Sequence, residues 1–182
     1  AKKYIYIEHQ YPFQSFALTH CLCEALAKNS DLKVIIIAPI KNDLPNGIIG
    51  SLLDISNDHI VEHLNMIYRV APTRFAVYGL VRQEPTTKSL KAVYVHSKLM
   101  LVDDEIISIG SSNLDYLSFS QSSEITLEIY NPELCVDTKI RLFQEHLEDF
   151  FSETLRNDFS FAFDVFQQIA RMNYESYCSQ GV

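Results

Sequence analysis

His96 and Lys98 are the residues whose types and spacing most directly suggest chemistry, and Asp103 follows five residues later. On a β-strand, residues two apart point to the same face. We therefore expect the imidazole and the ammonium side by side, an arrangement suited to a phosphodiester. The lysine can neutralise a non-bridging oxygen as charge builds in the transition state. The histidine can attack phosphorus or protonate the leaving oxygen.

The segment Gly110-Ser111-Ser112-Asn113 supplies neutral groups for the same chemistry. A glycine allows close approach of the backbone, and Ser111 and Asn113 then offer donors to a phosphate. Asp103 lies seven residues from His96, an odd offset that places it on the opposite strand face. We expect it at the end of a hairpin, bonded to neighbouring groups rather than to phosphate. No metal and no cofactor are expected, because the cation and the donors do a metal's work.

Hydrophobic periodicity predicts the elements that must position these residues. The predicted strands are Tyr4–Glu8, Leu32–Ala38, Phe75–Tyr78, Ala92–Val102, Glu105–Ile109 and Ile125–Tyr130. The predicted helices are Ser15–Lys28, Ile48–Ile67, Pro132 to about Phe151 and Phe161 to about Tyr174. We expect loops over Lys41–Gly47 and Val81–Leu90, and a hairpin-like turn at Asp103-Asp104. The β-α-β start predicts an α/β layered fold, with residues 1–182 as one domain.

The composite H-x-K-x4-D-x6-G-S-x-N, from His96 to Asn113, resembles the phospholipase D superfamily, the HKD family. Ile5–Tyr11 resembles the strand that opens the C-terminal half of two-motif phospholipases D. Asn113–Phe119 is close to the run seen in bacterial phospholipases D and cardiolipin synthases. The resemblance extends over Tyr4–Tyr130 and implies a phospholipase D-like αβα sandwich with a mixed sheet.

Members of that family cut or exchange phosphodiester bonds through a phosphohistidine intermediate, and each active site contains two such motifs. The chain has one and therefore looks like half of an active site, the C-terminal half of a longer enzyme. The resemblance implies a general-acid role for His96 rather than a nucleophilic one, although the reverse assignment stays open. It implies that Glu124 holds the His96 ring, which a carboxylate does by fixing its tautomer. The implied site residues are His96, Lys98, Asp103 and Glu124 for catalysis, with Ser111, Asn113 and His9 for substrate binding.

The implied partners are a phospholipid and a second motif-bearing half, either upstream in the same polypeptide or a second copy of the chain. Contact with a membrane surface is compatible with this. The net charge of −8 argues against nucleic acid as the main partner. The longest apolar run, Val34–Ile40, is interrupted by Pro39 and is too short to span a bilayer. No signal peptide opens the chain, so a cytoplasmic or membrane-peripheral location is favoured.

Two departures from the family pattern keep alternatives open. His9 stands where Asn is usual, as a substrate contact or a tolerated polar residue, and Leu117 stands where Arg is usual. One alternative is a single-motif nuclease of the same superfamily that dimerises; another is a half that binds or scaffolds without catalysis.

For the remaining histidines, the cysteines and a stripe of phenylalanines we predict structural roles. We expect His59 and His63 on an exposed helix face rather than in a zinc site, and the four cysteines as inert thiols. The stripe of phenylalanines is expected in the core: Phe143, Phe150, Phe151, Phe159, Phe161, Phe163 and Phe166.

Overall fold

The computed structural model describes residues 1–39 and 48–179, and it omits the side chains of residues 48–58, 116–117 and 177–179. The strands are β1 Tyr4–His9, β2 Lys33–Ile37, β3 Phe75–Tyr78, β4 Val81–Gln83, β5 Leu90–Ala92, β6 Lys98–Val102, β7 Ile106–Gly110 and β8 Thr126–Tyr130. The helices are α1 Phe16–Lys28, α2 Ile48–Val70, α3 Tyr116–Ser120, α4 Pro132–Leu147, α5 Glu153–Asn157 and α6 Phe159–Ser179. A 3₁₀ turn, Glu148–Phe150, follows α4.

The main sheet has six strands in the order β3-β2-β1-β6-β7-β8. Strand β2 pairs in parallel with both β1 and β3. The other neighbours pair antiparallel, namely β1-β6, β6-β7 and β7-β8, so the sheet is mixed. The strands β4 and β5 form a separate hairpin. The predicted α/β fold with a mixed sheet is confirmed.

Each face of the main sheet has its own apolar core. One core contains Tyr4, Tyr6 and Leu101 from the strands and Phe143 and Phe163 from α4 and α6. The opposite core contains Ile5, Ile7 and Ile36 with Leu22 and Leu26 of α1. Because successive side chains of a strand point to opposite faces, β1 feeds both cores, and all six of its residues are buried. A sheet covered by helices on both faces is an αβα sandwich.

Local sequence signals fix the strand that carries the motif. Asp103 and Asp104 both adopt positive φ, 56° and 59°, at the centre of a tight β-turn between β6 and β7, which the Glu105 N–H closes by donating to the Val102 carbonyl at 2.9 Å. Gly110 ends β7 where the neighbouring strand passes so close that an added Cβ would lie 2.2 Å from the Ile125 carbonyl oxygen. The hairpin therefore places the Gly110–Asn113 segment beside the start of β6.

Several sequence predictions need correction. Ala92–Val102 is not one strand: β5 ends at Ala92, residues 93–97 are irregular, and β6 begins at Lys98. Val81–Leu90, expected as a loop, contains β4 and begins β5. These strands of three residues are too short to show an alternating pattern. The helices α3 and α5 were not predicted because each is too short to show a helical pattern of apolar residues.

The remaining elements agree with the predictions within a few residues at each end. The predicted turn at Asp103-Asp104 and the helix that opens at Pro132 are both present. The loop expected over Lys41–Gly47 lies outside the described residues. Four phenylalanines of the predicted stripe are buried, whereas Phe150 and Phe161 are exposed. No helix within the described chain is long and apolar enough to cross a bilayer.

Candidate active site

Lys98 is the centre of the best-defined part of the candidate site. It begins β6 opposite His9 at the end of β1. Its ammonium Nζ donates to Gln10 Oε1 at 2.8 Å and to the backbone oxygen of His96 at 2.9 Å. An ammonium has three donors. Among the described residues no third acceptor is bonded to it, so one N–H is available for a phosphate oxygen.

The acceptors that hold Lys98 are uncharged. Partial burial lowers the pKa of the Lys98 ammonium, and the carboxylates of Glu124 and Asp115 act in the opposite direction. An amide oxygen and a carbonyl oxygen orient the lysine without neutralising it. The site therefore keeps a directed positive charge, as stabilisation of a phosphodiester transition state requires.

A cavity of about 320 Å³ opens beside Lys98. Its floor is the face of β6, β7 and β8 that carries Met100 and Ser108, with Ile7 of β1 at one side. The polar part of its lining consists of His9, Lys98, Ser108, Ser112, Thr126 and Glu128. Mixed polar and apolar walls next to a lysine can accept a phosphate together with an attached organic group.

His9 is buried in the wall of this cavity. Burial lowers the pKa of His9 to about 4; the charge of Lys98 adds to this, whereas a hydrogen bond to the Ser112 backbone and the charge of Asp115 oppose it. Its Nδ1 accepts the Tyr11 backbone N–H at 3.2 Å. A neutral imidazole is therefore held with Nδ1 as acceptor, which leaves the proton on Nε2.

His96 is placed differently from the sequence prediction. It lies in the irregular segment before β6, so strand alternation does not apply to it, and it is exposed. Its ring lies 6.2 Å from the ring of Tyr94 at an interplanar angle of 24°. The contact between the two motif residues runs from Lys98 Nζ to the His96 backbone oxygen. His96 does not line the cavity, whereas Lys98 does. The side chains of His96 and Lys98 are therefore close in the chain but do not lie on one strand face.

The predicted hydrogen bond between Glu124 and the His96 ring is not formed. Glu124 instead accepts a hydrogen bond from the hydroxyl of Ser111. These two residues face each other because the Ser111 N–H donates to the Ile125 carbonyl at 2.9 Å, which continues the β7-β8 pairing. The local ladder thus supplies Glu124 with a nearer partner than the imidazole.

The other predicted site residues are spread around the cavity. Ser112, rather than Ser111 or Asn113, lines it beside Lys98. The side-chain oxygen of Asn113 is buried and has no hydrogen-bond partner among the described residues. The side chain of Leu117 lies outside the described set.

Asp103 lies at the far end of β6 and anchors the start of β1. Its carboxylate accepts the backbone N–H groups of Lys2, Lys3 and Tyr4 at 2.5, 2.7 and 2.8 Å. Burial alone would raise its pKa, but these hydrogen bonds hold the pKa below its ordinary value. Asp103 therefore fastens the start of β1 to the end of β6 from the hairpin-end position predicted for it, and it does not line the cavity beside Lys98, so a catalytic role for it is not supported by its position.

Sequence reasoning missed Gln10, Tyr94, Glu8 and His146. Gln10 Nε2 donates to the Tyr94 hydroxyl at 2.5 Å, so one amide joins Lys98 to the ring beside His96. Gln10 was within the quoted Ile5–Tyr11 run, and pairing that run with the motif strand would have placed it there. Glu8 and His146 are separated by 138 positions, and no local pattern predicts their contact.

The histidines predicted on the second helix have structural partners. His63 is buried rather than exposed, and its Nδ1 lies 2.7 Å from the Phe13 carbonyl oxygen. His59 is exposed near Glu62. In the described part of the chain, no group of three His, Cys, Asp or Glu side chains is arranged to hold a metal ion. Cys135 is buried, Cys21 is exposed and Cys23 is intermediate.

The mixed sheet between helical layers, with a histidine-lysine segment at the head of a central strand, defines the phospholipase D class of fold. A family model described as "Cardiolipin synthase, PLD-like domain" matches residues 1–150. The chain belongs to this family.

Curated relatives agree with the family assignment. Cardiolipin synthase 1 of Staphylococcus epidermidis is 26% identical over 148 residues, which are 81% of this chain and 25% of that protein. Cardiolipin synthase 1 of Staphylococcus aureus is 40% identical over 47 residues, 26% of this chain and 10% of that protein. The match thus spans a quarter or less of the length of these relatives.

Solved structures share the fold. NucT from Helicobacter pylori superposes with a TM-score of 0.53 at 19% identity, covering 81% of this chain and 80% of that one. Nuc from Salmonella typhimurium, a phospholipase D family member, superposes with a TM-score of 0.54 at 18% identity, covering 80% of this chain and 78% of that one. Phosphatidylserine synthase from Haemophilus influenzae superposes with a TM-score of 0.55 at 17% identity, covering 96% of this chain but 41% of that one.

Proposed function

We propose that the chain supplies one half of an active site that hydrolyses or exchanges the phosphodiester bond of a phospholipid. The observation that carries this proposal is Lys98, held by two uncharged acceptors with a free N–H beside a cavity and next to the His96 segment. The similarity to cardiolipin synthases supports a phospholipid as substrate.

In the proposed reaction, the histidine of the second half attacks phosphorus, forming a P–N bond as the P–O bond to the leaving alcohol breaks. His96 donates the proton that the leaving oxygen takes up. Water or a second alcohol then breaks the P–N bond, giving phosphatidic acid or a new phosphodiester, and its proton returns to His96. Lys98 stabilises the charge that develops on the non-bridging oxygens in both steps.

The second half is part of this proposal because the chain carries one motif. Strand β8 is an edge strand whose side chains are exposed at four of its five positions. Large apolar side chains are exposed there and nearby, at Ile109, Phe119, Ile125, Leu127 and Tyr130. An exposed apolar surface of this kind next to a half-site supports burial against a partner. The partner is either an upstream half or a second copy of the chain.

A homodimer is the second candidate arrangement. In that arrangement a second copy of the chain supplies the other motif, and the apolar side chains exposed on and near β8 are buried between the two copies. The family alternative of nucleic acid as substrate is disfavoured by the net charge of −8.

The experiment is release of the alcohol head group from phosphatidylglycerol vesicles, measured on size-separated fractions of the protein. We expect activity only in fractions that contain two motifs, as a homodimer or together with an upstream half. Enzyme-like release by a monodisperse one-motif monomer would refute the half-site proposal. Salt-sensitive cleavage of DNA without phospholipid turnover would favour the nuclease alternative.

A further inference from the structure

A buried carboxylate lies directly behind the catalytic segment and has no part in the proposed reaction. Glu8, in β1, is 5% exposed. Its Oε1 accepts the Tyr6 hydroxyl at 2.6 Å and contacts His146 Nε2, in α4, at 2.7 Å. Since an ionised carboxylate only accepts hydrogen bonds, Nε2 of His146 carries the proton.

This network is costly for the fold. Removing a charged group from water costs several kcal/mol before its partners compensate, and an apolar side chain of similar volume is often no less stable. The residues around Glu8 on that sheet face, such as Tyr6, Leu99 and Phe143, form an apolar core. The core alone therefore does not require an acid at this position.

The position of Glu8 indicates what the network holds. Glu8 pairs with Leu99, and His9 pairs with Lys98. The next backbone contact of the two segments is the Gln10 N–H donating to the Ser97 carbonyl at 3.2 Å. Ser97 is thus the diagonal neighbour of Glu8 on one sheet face, within reach of its side chain. Ser97 is also the residue between His96 and Lys98.

Electrostatics agree with this geometry. Burial alone would raise the pKa of Glu8, but hydrogen bonds from His146, Tyr6 and Ser97 hold the pKa below its ordinary value. Ser97 lies beside Glu8 by the register of the two segments, while Lys98 lines the cavity on the opposite sheet face. The His-x-Lys segment is held from behind at its middle residue.

We propose that Glu8, supported by Tyr6 and His146, is a positioning residue that fixes Ser97 and thereby the separation of His96 and Lys98. Only the expected effect of Glu8 on turnover rests on the proposed function. Its structural claim concerns order in residues 93–98, which have no regular strand to hold them before Lys98.

The chain offers a matched pair of variants. Tyr4 and Tyr6 are both fully buried in β1, and each hydroxyl donates to a carboxylate, Asp104 at 2.8 Å and Glu8 at 2.6 Å. Tyr6→Phe removes a partner of Glu8. Tyr4→Phe, at the far end of the strand, removes the bond to the Asp104 carboxylate and the bond that the Tyr4 hydroxyl accepts from the Asp104 N–H at 3.1 Å. Because Tyr4→Phe loses one hydrogen bond more, it should destabilise the protein at least as much as Tyr6→Phe, and faster exchange at residues 93–98 in Tyr6→Phe alone would reflect the position of Tyr6 and not a general loss of stability.

The test is amide hydrogen exchange of residues 93–98 in the chain without substrate. Tyr6→Phe and Glu8→Gln should exchange at least about tenfold faster there, and Tyr4→Phe should match the wild type. His146→Gln, which keeps a donor at similar reach, should retain protection, and His146→Leu should lose it. In the complete enzyme, Tyr6→Phe should lower kcat at unchanged KM.

Equal exchange of residues 93–98 in Tyr6→Phe and Tyr4→Phe would overturn the proposal, as would full protection in His146→Leu. If Glu8→Gln fails to fold, the tyrosine pair and the His146 pair still decide the question. Because exchange is measured without substrate, the absence of phospholipid turnover would count against the proposed function and leave this result standing.

Discussion

The charge state of single residues around Lys98 determines what the site can do. Gln10 holds the lysine through an uncharged oxygen. Gln10→Glu keeps an acceptor at the same reach but adds a negative charge. We expect the pKa of Lys98 to rise, because an opposite charge favours the ammonium. Turnover should fall by about 10–100-fold, because a neutralised lysine stabilises the transition state less.

The measurement is an NMR titration of the Lys98 side chain together with kcat. Gln83→Glu, on the remote β4 strand, is the control and should change neither value. An unchanged kcat in Gln10→Glu, with a raised Lys98 pKa, would show that the charge of this lysine is not needed.

His9 makes stability depend on pH in a defined window. Its pKa is lowered by burial from 6.5 to about 4. As the pH falls from 6.5 to 4, the unfolded chain binds a proton at this residue and the folded chain does not. Folding is therefore weakened by acidification, by about 3 kcal/mol across the window.

The check is chemical denaturation of wild type and His9→Asn at a series of pH values. The free energy of unfolding should fall more steeply for the wild type between pH 6.5 and 4, and the variant should lack that component. Glu8 and Asp103, whose pKa values are also lowered, act on both proteins alike. Parallel curves for the two proteins would mean that the pKa of His9 is not lowered in the folded state.

At the level of elements, the close approach of β8 to the end of β7 shapes the rim of the site. Gly110→Ala would place a Cβ 2.2 Å from the Ile125 carbonyl oxygen and 2.6 Å from the Thr126 Cα. Because both are backbone atoms, the strands must separate, at a cost of about 1–3 kcal/mol. Thermal unfolding should show this loss, whereas Ser108→Ala on the same strand should be nearly neutral. Equal melting temperatures for Gly110→Ala and wild type would contradict the described β7-β8 approach.

Elements with a strong local pattern were predictable from the sequence. Strand β2 is a continuous apolar run, and α1 begins at a serine whose side chain caps the Leu18 N–H. The Asp-Asp turn follows from two residues that tolerate positive φ. These features, with the spacing of the motif, predicted the sheet and the neighbourhood of the site.

The details that were wrong depend on non-local contacts. The sequence of residues 93–97 is typical of a strand because apolar and polar residues alternate in it, yet this segment is irregular and the strand that pairs with β1 begins at Lys98. Glu124 has a nearer partner in Ser111 only because the ends of β7 and β8 pair. Spacing along the chain does not tell whether Glu124 bonds to Ser111 or to His96. It also does not predict the contact between His146 and Glu8.

At the scale of the whole molecule, the exposed edge of the main sheet is the surface on which the proposed half-site depends. The helices cover both cores, but β8 leaves four of its five side chains exposed at the sheet edge nearest Ser111 and Glu124. His96 is exposed as well. A reaction that passes through a covalent intermediate needs water controlled and two proton-transfer groups in place. A second half packed over this edge would provide both.

The most direct test of the account is the kcat for head-group release by the complete enzyme carrying His96→Asn. His59→Asn, an exposed substitution on α2 away from the site, is the matched control. We expect His96→Asn to lower kcat by at least about 10³-fold, with the melting temperature of the wild type, and His59→Asn to be fully active. Retention of more than about a tenth of the wild-type kcat by folded His96→Asn would contradict the assignment of His96 to the chemistry.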